Sequence, residues 1–373
     1  MPVQLREVKT NSDLSKFINF PLKLYRKNRY YVPALASDEK NTLSPKKNFA
    51  FQYCEARYWL AYNENKIVGR IAAILNKKHI QKWNQPYLRF GWLDFIDDYE
   101  VSSALMGAVE SWAVQCGMSA VHGPLGFTDL DREGMLIQGF DELSTMATNY
   151  NYPYYQDHLE KLGYKKDIDW VEFEIIPPPI PNAKISSTAE LVLRRNELTL
   201  LNSLKKKELM SYGEELFNLI NEEYSHLYGT IPLSREQISQ YISQYFGFVH
   251  PDFVPIVVDK TGRMIAFGIA MPSLSEALLK SRGGLFPFGW YFLLKALHKN
   301  NRADLYLIAI KKEYQGKGVN AVILDAMSKT FIKRGIVKVE SNPELENNIS
   351  VQTLWKYFEL REHKRRRCYI KYL

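Results

Sequence analysis

The segment Tyr314-Gln-Gly-Lys-Gly-Val-Asn320 decides how this chain is read. It follows a run of strand-forming residues, Leu305-Tyr-Leu-Ile-Ala-Ile310, and leads into Val319 to Arg334, where Val322, Ile323, Ala326 and Met327 recur on one helix face. Gly335 supplies the helix stop. A loop entering a helix turns unpaired N–H groups and the positive end of the helix dipole toward an anion. Gly316 and Gly318 have no Cβ to hold a phosphate away from that backbone, and Lys317 adds positive charge. Gly-Lys-Gly also occurs in ordinary turns; the place of this one, between a strand and a well-formed helix, makes it a phosphate loop.

The surroundings of the loop have a counterpart earlier in the chain. The run Ile176-Pro-Pro-Pro-Ile-Pro181 breaks the sequence near its middle, because proline neither donates to a ladder nor continues a helix. Before it, Arg57–Tyr62 and Ile67–Leu75 flank an Asn-rich tetrad and read as a hairpin; after it, Phe253–Val258 and Arg263–Met271 flank Asp259-Lys-Thr-Gly262 and read as the same hairpin. Each is followed by a strand (Phe90–Ile96; Leu305–Ile310), a helix (Ser102–Cys116; Val319–Arg334) and a further strand (Ser119–His122; Ile336–Glu340). Each half then closes with a short helix (Tyr155–Tyr164; Val351–Phe358) and an aromatic strand (Asp169–Ile175; Arg367–Tyr372). Two similar α/β units in tandem follow from the shared order: residues 1–178, a Pro-rich linker at 179–190, and residues 191–373. At 373 residues, two domains are also what length alone suggests.

On these residues the second half resembles the GNAT superfamily, whose pyrophosphate motif is Arg or Gln, two residues, Gly, one residue, then Gly or Ala. Gln315 and Gly318 match, and Asn320 stands where the small residue is expected. The resemblance implies an α/β fold with a mixed sheet: two tandem GNAT-like domains, each a mostly antiparallel twisted sheet flanked by helices. It implies that Gln315, Gly316, Lys317, Gly318, Val319 and Asn320 bind the pyrophosphate of acetyl-CoA or another acyl-CoA, with Asn348 in the supporting position after the next strand. Seven residues beyond Asn348 the superfamily often has a Tyr that protonates the leaving thiolate. This chain has Trp355, which has no hydroxyl, and Tyr357 lies two residues further round the helix. Tyr306 and Tyr369 are the alternative acids. The first half resembles the same fold without the loop: Asp97-Asp-Tyr-Glu-Val-Ser-Ser103 stands in its place, and acidic side chains there repel a pyrophosphate. It is read as a degenerate copy that shapes the substrate side.

Amide formation needs the attacking amine deprotonated, commonly by a carboxylate. Glu340, ending its strand, is a candidate base, with a surface or capping role as the alternative; Asn342 and Glu344 follow it as candidates to orient substrate. In the first half, the long loop Gly123–Gly134 carries Asp129, Asp131 and Glu133. Asp129 and Asp131 either recognise a cationic amine or cap the local backbone. His122 reads as a structural histidine. No histidine pair, cysteine set or acidic spacing suggests a metal site.

Composition bounds the rest. Three scattered cysteines, Cys54, Cys116 and Cys368, argue for reduced thiols and a cytoplasmic setting. The most apolar run, Leu285–Leu297, is too short to span a bilayer and reads as a buried helix or the lining of an apolar groove. The net charge of +8 is concentrated in part at Lys364-Arg-Arg-Arg367, which reads as a solvated basic face or a phosphate-binding one. The leading functional expectation is acyl transfer from acetyl-CoA to a small-molecule or peptide amine. The alternatives are a non-catalytic ligand-binding protein of this fold, a Fem-like transferase using aminoacyl-tRNA, and a nucleic-acid-binding protein using Lys364–Arg367. Tandem folds with one working site resemble protein N-myristoyltransferases and Fem ligases, although the long helical arm that Fem ligases often carry is not evident in this chain.

Overall fold

The computed structural model describes residues 2–373. The chain forms two compact units, one built from residues up to Val171 with Ser275–Phe292 and His363–Leu373, the other from Glu172–Leu274 with Leu293–Glu362.

In the first unit the strands are β1 (Gln4–Glu7), β2 (Cys54–Asn63), β3 (Lys66–Asn76), β4 (Tyr87–Phe95), β5 (Ala120–Gly123), β6 (Met135–Gln138) and the first part of β7 (Lys165–Ile176). Their order is β1-β2-β3-β4-β5, then the last strand of the chain, then β7, with β6 against that last strand. The β2–β3 hairpin runs antiparallel from Cys54↔Asn76 to Asn63↔Lys66. The pairs β1–β2 and β3–β4 are also antiparallel, as is β5 with the last strand, whereas β4 and β5 run parallel. The helix Tyr99–Gln115 lays Val101, Leu105, Met106, Val109, Trp112 and Ala113 on this sheet, packing against Ile71, Phe90, Phe95 and Val121. Each large apolar side chain so buried contributes about 1.5–3 kcal/mol.

The second unit takes the end of β7 and then β8 (Thr199–Leu201), β9 (Ile256–Val258), β10 (Met264–Pro272), β11 (Arg302–Ile310), β12 (Lys338–Glu340), β13 (Glu344–Leu345) and the start of β14 (Glu359–Tyr372). The order is β7-β12-β11-β10-β9-β8, antiparallel except for β11–β12. The helix Val319–Arg334 covers this sheet with Val322, Ile323, Ala326, Met327 and Phe331, and the helix Ala183–Arg195 packs along it. Each unit is thus a mostly antiparallel mixed sheet with helices, as the sequence led one to expect.

Four local readings come out differently. Residues 179–190 hold most of a helix rather than an open linker, because the Asn182 side chain caps the N–H groups of Lys184 and Ile185 and starts the turn Ala183–Arg195. The helix expected over Val351–Phe358 is a short α-turn, Ile349–Gln352, followed by a 3-10 turn, Thr353–Tyr357. The basic run is not a solvated face. It lies in β14, where alternation turns Lys364 and Arg366 fully inward; Lys364 Nζ donates to Leu143 O at 3.1 Å and Arg366 to Asn149 O, while Arg367 pairs with Asp169 at 2.8 Å. Finally, Leu285–Leu297 is not buried as a whole: only Gly289–His298 is helical, and Phe286 and Phe288 ahead of it project into solvent.

Candidate functional site

The site is built where β11 and β12 part. They pair in parallel only over Arg302↔Lys338, Ala303↔Val339 and Asp304↔Glu340, after which β12 ends and β11 runs on to Ile310. At the parting point β11 carries a bulge, since Leu307 faces Ile269 while Leu305 already faces Ala270, leaving Tyr306 as the extra residue. Bulges of this kind re-aim side chains and terminate pairing, and they are frequent beside active sites. Leu305 to Ile308 are accordingly only half-buried although their strand is central.

The freed edge of β11 is held by two side chains. Asn342 Nδ2 donates to Tyr306 O at 3.3 Å. Tyr224, just past the helix Gly213–Glu223, donates its hydroxyl to Ile308 O at 2.9 Å and accepts from Ile308 N at 3.3 Å. Burial pushes the Tyr224 phenol up to about 12, so it stays protonated at neutral pH.

Beyond Ile310 the chain makes a 3-10 turn, Lys312–Tyr314, and enters the loop. Gly316 and Gly318 both have left-handed backbone, φ 71° and 82°, and Gly318 is the N-cap of the helix Val319–Arg334 with no side chain capping it. The N–H groups of Gly316, Gly318, Val319 and Asn320 have no acceptor among the described residues. Nothing lies within 4 Å of where a Gly316 Cβ would stand, so the loop is open on that side. Lys317 Nζ lies 5.6 Å from the Tyr314 ring. The Gln315 amide turns back, donating to Ile310 O at 2.9 Å and to Glu223 at 2.8 Å, which fixes the loop to its strand. A row of free donors at an uncapped helix start fits a pyrophosphate.

In β13, Glu344 is buried, and its Oε1 accepts from the Trp355 indole at 2.7 Å. Its Oε2 has no hydrogen bond among the described residues. The adjoining Ser341 hydroxyl accepts from Phe173 N at 2.9 Å and lies 3.0 Å from Asn342 O. Burial pushes the Glu344 carboxyl up to about 7, against the opposing pull of Trp355 and Ser341. The Trp355 ring also lines a small apolar cavity of about 20 Å³ with Leu305, Met327, Phe331, Val339 and Phe358.

The sequence candidates fall in four places. Gln315 to Asn320 form the loop; Tyr306 sits at the bulge and Glu340 at the last β11–β12 pair. Asn348 heads the turn Ile349–Gln352, without a capping bond from its side chain. Tyr369, Asp129 and Asp131 belong to the first unit. There Asp131 caps the N–H groups of Phe127 and Thr128 at 2.8 and 3.0 Å, and burial raises it to about 6. His122 is buried, and burial with the nearby Arg89 charge drives its pKa well down, so it stays neutral. Sequence reasoning does not reach the pairing of Glu344 with Trp355 or the placement of Tyr224; the one signal for the first is an acidic residue eleven positions before an unexplained tryptophan.

The arrangement has relatives among solved structures. A tandem GNAT protein from the clavulanic acid biosynthesis pathway superposes with a TM-score of 0.56 at 11% identity, covering 99% of this chain and 98% of that one. The fold is GNAT, in tandem. No protein-family model matches the chain. In sequence it is similar to Protein YghO of Escherichia coli (strain K12), at 28% identity over 98% of this chain and 95% of that protein. It is also similar to the bacterial ceramide synthase of Caulobacter vibrioides (strain NA1000 / CB15N), at 25% identity over 83% of this chain and 80% of that protein.

The two GNAT-fold units treat the same position differently. In the first, β4 and β5 also part, after Arg89↔His122. There the chain itself fills the gap: Leu125 N donates to Phe90 O at 2.8 Å, and Gly123 passes so close that a Cβ would stand 2.2 Å from Phe90 O. The following helix is capped by Asp98, whose side chain accepts from Glu100 N at 2.9 Å, with Asp97 beside it. Where the second unit leaves its helix-start donors free, the first meets the Glu100 N–H with the Asp98 carboxylate.

Proposed function

We propose that the protein is an acyl-CoA-dependent N-acyltransferase working in its second unit. The observation that carries this reading is the set of unmatched N–H groups from Gly316 to Asn320 at the end of the strand whose partner leaves at Asp304. In this reading Gln315 fixes the loop, and Gly316 to Asn320 take the pyrophosphate with Lys317 and Asn348 in support. The similarity to a protein named for ceramide synthesis favours a long-chain donor and a lipid-like amine over acetyl-CoA.

The base in this reading is Glu344. A carboxyl held near 7 is half ionised at neutral pH, which is where a general base is most effective. It takes the proton from the amine as nitrogen bonds the thioester carbon; the C–S bond then breaks and the thiol departs as thiolate. A thiolate needs little help from an acid, since thiols ionise near 8.5, and this makes the change to Trp355 tolerable. Trp355 instead orients the base. Glu340 and Tyr306, at the mouth of the parting strands, remain candidates to contact the amine and the carbonyl.

Calorimetry with acetyl-CoA and palmitoyl-CoA, on wild type and Gly318→Glu, tests the assignment. Binding in wild type that disappears in the variant, with release of free thiol once a long-chain amine is added, is the expected result. Binding without any turnover across an amine panel would make this a ligand-binding protein; no binding by folded wild type would end the acyl-CoA reading.

A further inference from the structure

The segment between the helices Ser275–Ser281 and Gly289–His298 is unlike the rest of the surface. Leu285, Phe286, Pro287 and Phe288 are consecutive and exposed, Phe286 at 86% and Phe288 at 66%, and Trp290 and Tyr291 follow at 49% and 50%. Single exposed apolar residues are ordinary, but a run carrying four exposed aromatic rings marks an interaction surface. The run is presented by a fixed backbone. Ala36 N donates to Gly283 O at 3.0 Å, Gly284 N to Ser281 O at 3.0 Å, and Trp290 N to Leu285 O at 2.9 Å, while the Trp290 indole donates to Pro287 O at 3.0 Å. A tip already ordered loses little entropy when it binds.

Charge selects the partner. From Ala277 to Ala303 the sequence has no Asp or Glu and five basic residues, Lys280, Arg282, Lys295, Lys299 and Arg302. Lys280 and Arg282, both exposed, immediately precede the aromatic run. A protein partner has to offer shaped pockets for protruding Phe rings; a bilayer does not. Phe side chains enter the acyl boundary, Trp and Tyr rest at headgroup level, and Lys and Arg meet anionic phosphates. No helix of the described residues is long and apolar enough to cross a membrane, so the insertion is shallow.

We propose that the Leu285–Tyr291 tip docks the protein on an anionic phospholipid surface. This stands apart from the acyl-transfer reading, since none of its residues belongs to that site.

Sedimentation with vesicles tests it, using phosphatidylcholine alone and phosphatidylcholine containing about one third phosphatidylglycerol. Wild type is expected to pellet with the anionic vesicles. The double variant Phe286→Ser/Phe288→Ser, checked by circular dichroism and melting, should partition at least about ten-fold more weakly. Lys280→Gln/Arg282→Gln should weaken binding to the anionic vesicles and reduce its salt dependence. Tryptophan emission should shift to the blue on adding vesicles, and that shift should shrink in Trp290→Phe. Failure of wild type to bind either vesicle, or equal binding by the Phe double variant, overturns the proposal. So does light scattering that shows a wild-type dimer made monomeric by the same two changes, which would assign the surface to a second copy of the chain.

Discussion

Glu344 carries a cost in stability that its proposed role as base would explain. Its carboxyl ordinarily ionises near 4.5 and is pushed up to about 7 by burial. A group whose pKa is raised on folding stabilises the native state below its unfolded value and loses that contribution as pH rises through its folded one. For Glu344 the window is therefore about 4.5 to 7, and the full effect is on the order of 3 kcal/mol. As a base it must be ionised, so turnover should rise as pH climbs through about 7. Glu344→Gln should lower kcat by about 10²–10⁴-fold and remove that rise, while its melting temperature gains on wild type at pH 8 and loses the advantage below pH 5. Trp355→Phe removes a hydrogen bond that holds the pKa down, so the midpoint of its rate profile should move alkaline. A profile unchanged in Trp355→Phe would detach the base from this pair.

At the scale of elements, β11 is set apart by its freed edge. Unpaired edge groups invite other strands and are usually covered; here Asn342 covers Tyr306 and Tyr224 covers Ile308. An extended amide-bearing arm lying along β11 would compete for the same Ile308 groups. Tyr224→Phe should therefore lower the melting temperature of the free protein, by about 1–3 kcal/mol of lost hydrogen bonding, and enlarge the shift produced by saturating acyl-CoA. A normal melting temperature with lost binding would show instead that Tyr224 contacts the ligand directly. How much of this region is legible in the sequence depends on how local each feature is. The loop is legible because Gly316, Gly318 and the flanking strand and helix are neighbours in the chain, and the helix Val319–Arg334 is placed to the residue. Tyr224 is not, because its bond reaches Ile308 across 84 positions. Trp355 reads only as a missing hydroxyl, since its partner depends on a 3-10 turn that periodicity does not reveal. The run Lys364–Arg367 reads as a charged face by composition, whereas the alternation of a strand turns every second residue inward. In Leu285–Leu297, apolar content reads as burial, although nothing in the sequence says what would cover it.

For the whole molecule, the question is why two copies of one fold differ at the same position. Both units part their parallel strands, after Arg89↔His122 in the first and Asp304↔Glu340 in the second. They differ beyond that point. The first spends its gap on its own backbone, Gly123 to Leu125, and begins its helix under an Asp98 cap with Glu100 in the first turn. The second leaves its gap to side chains that can move and begins its helix on Gly318 with no cap. A phosphate group would meet carboxylates in the first and free N–H groups in the second, so charge and sterics give the same answer. Calorimetry should accordingly find one acyl-CoA per chain. Asp98→Ala should weaken the first unit by about 1 kcal/mol through loss of the cap and leave both the affinity and the stoichiometry unchanged. Two equivalents bound per chain, or an affinity that responds to Asp98→Ala, would mean that the first copy still takes a nucleotide and that its filled gap opens.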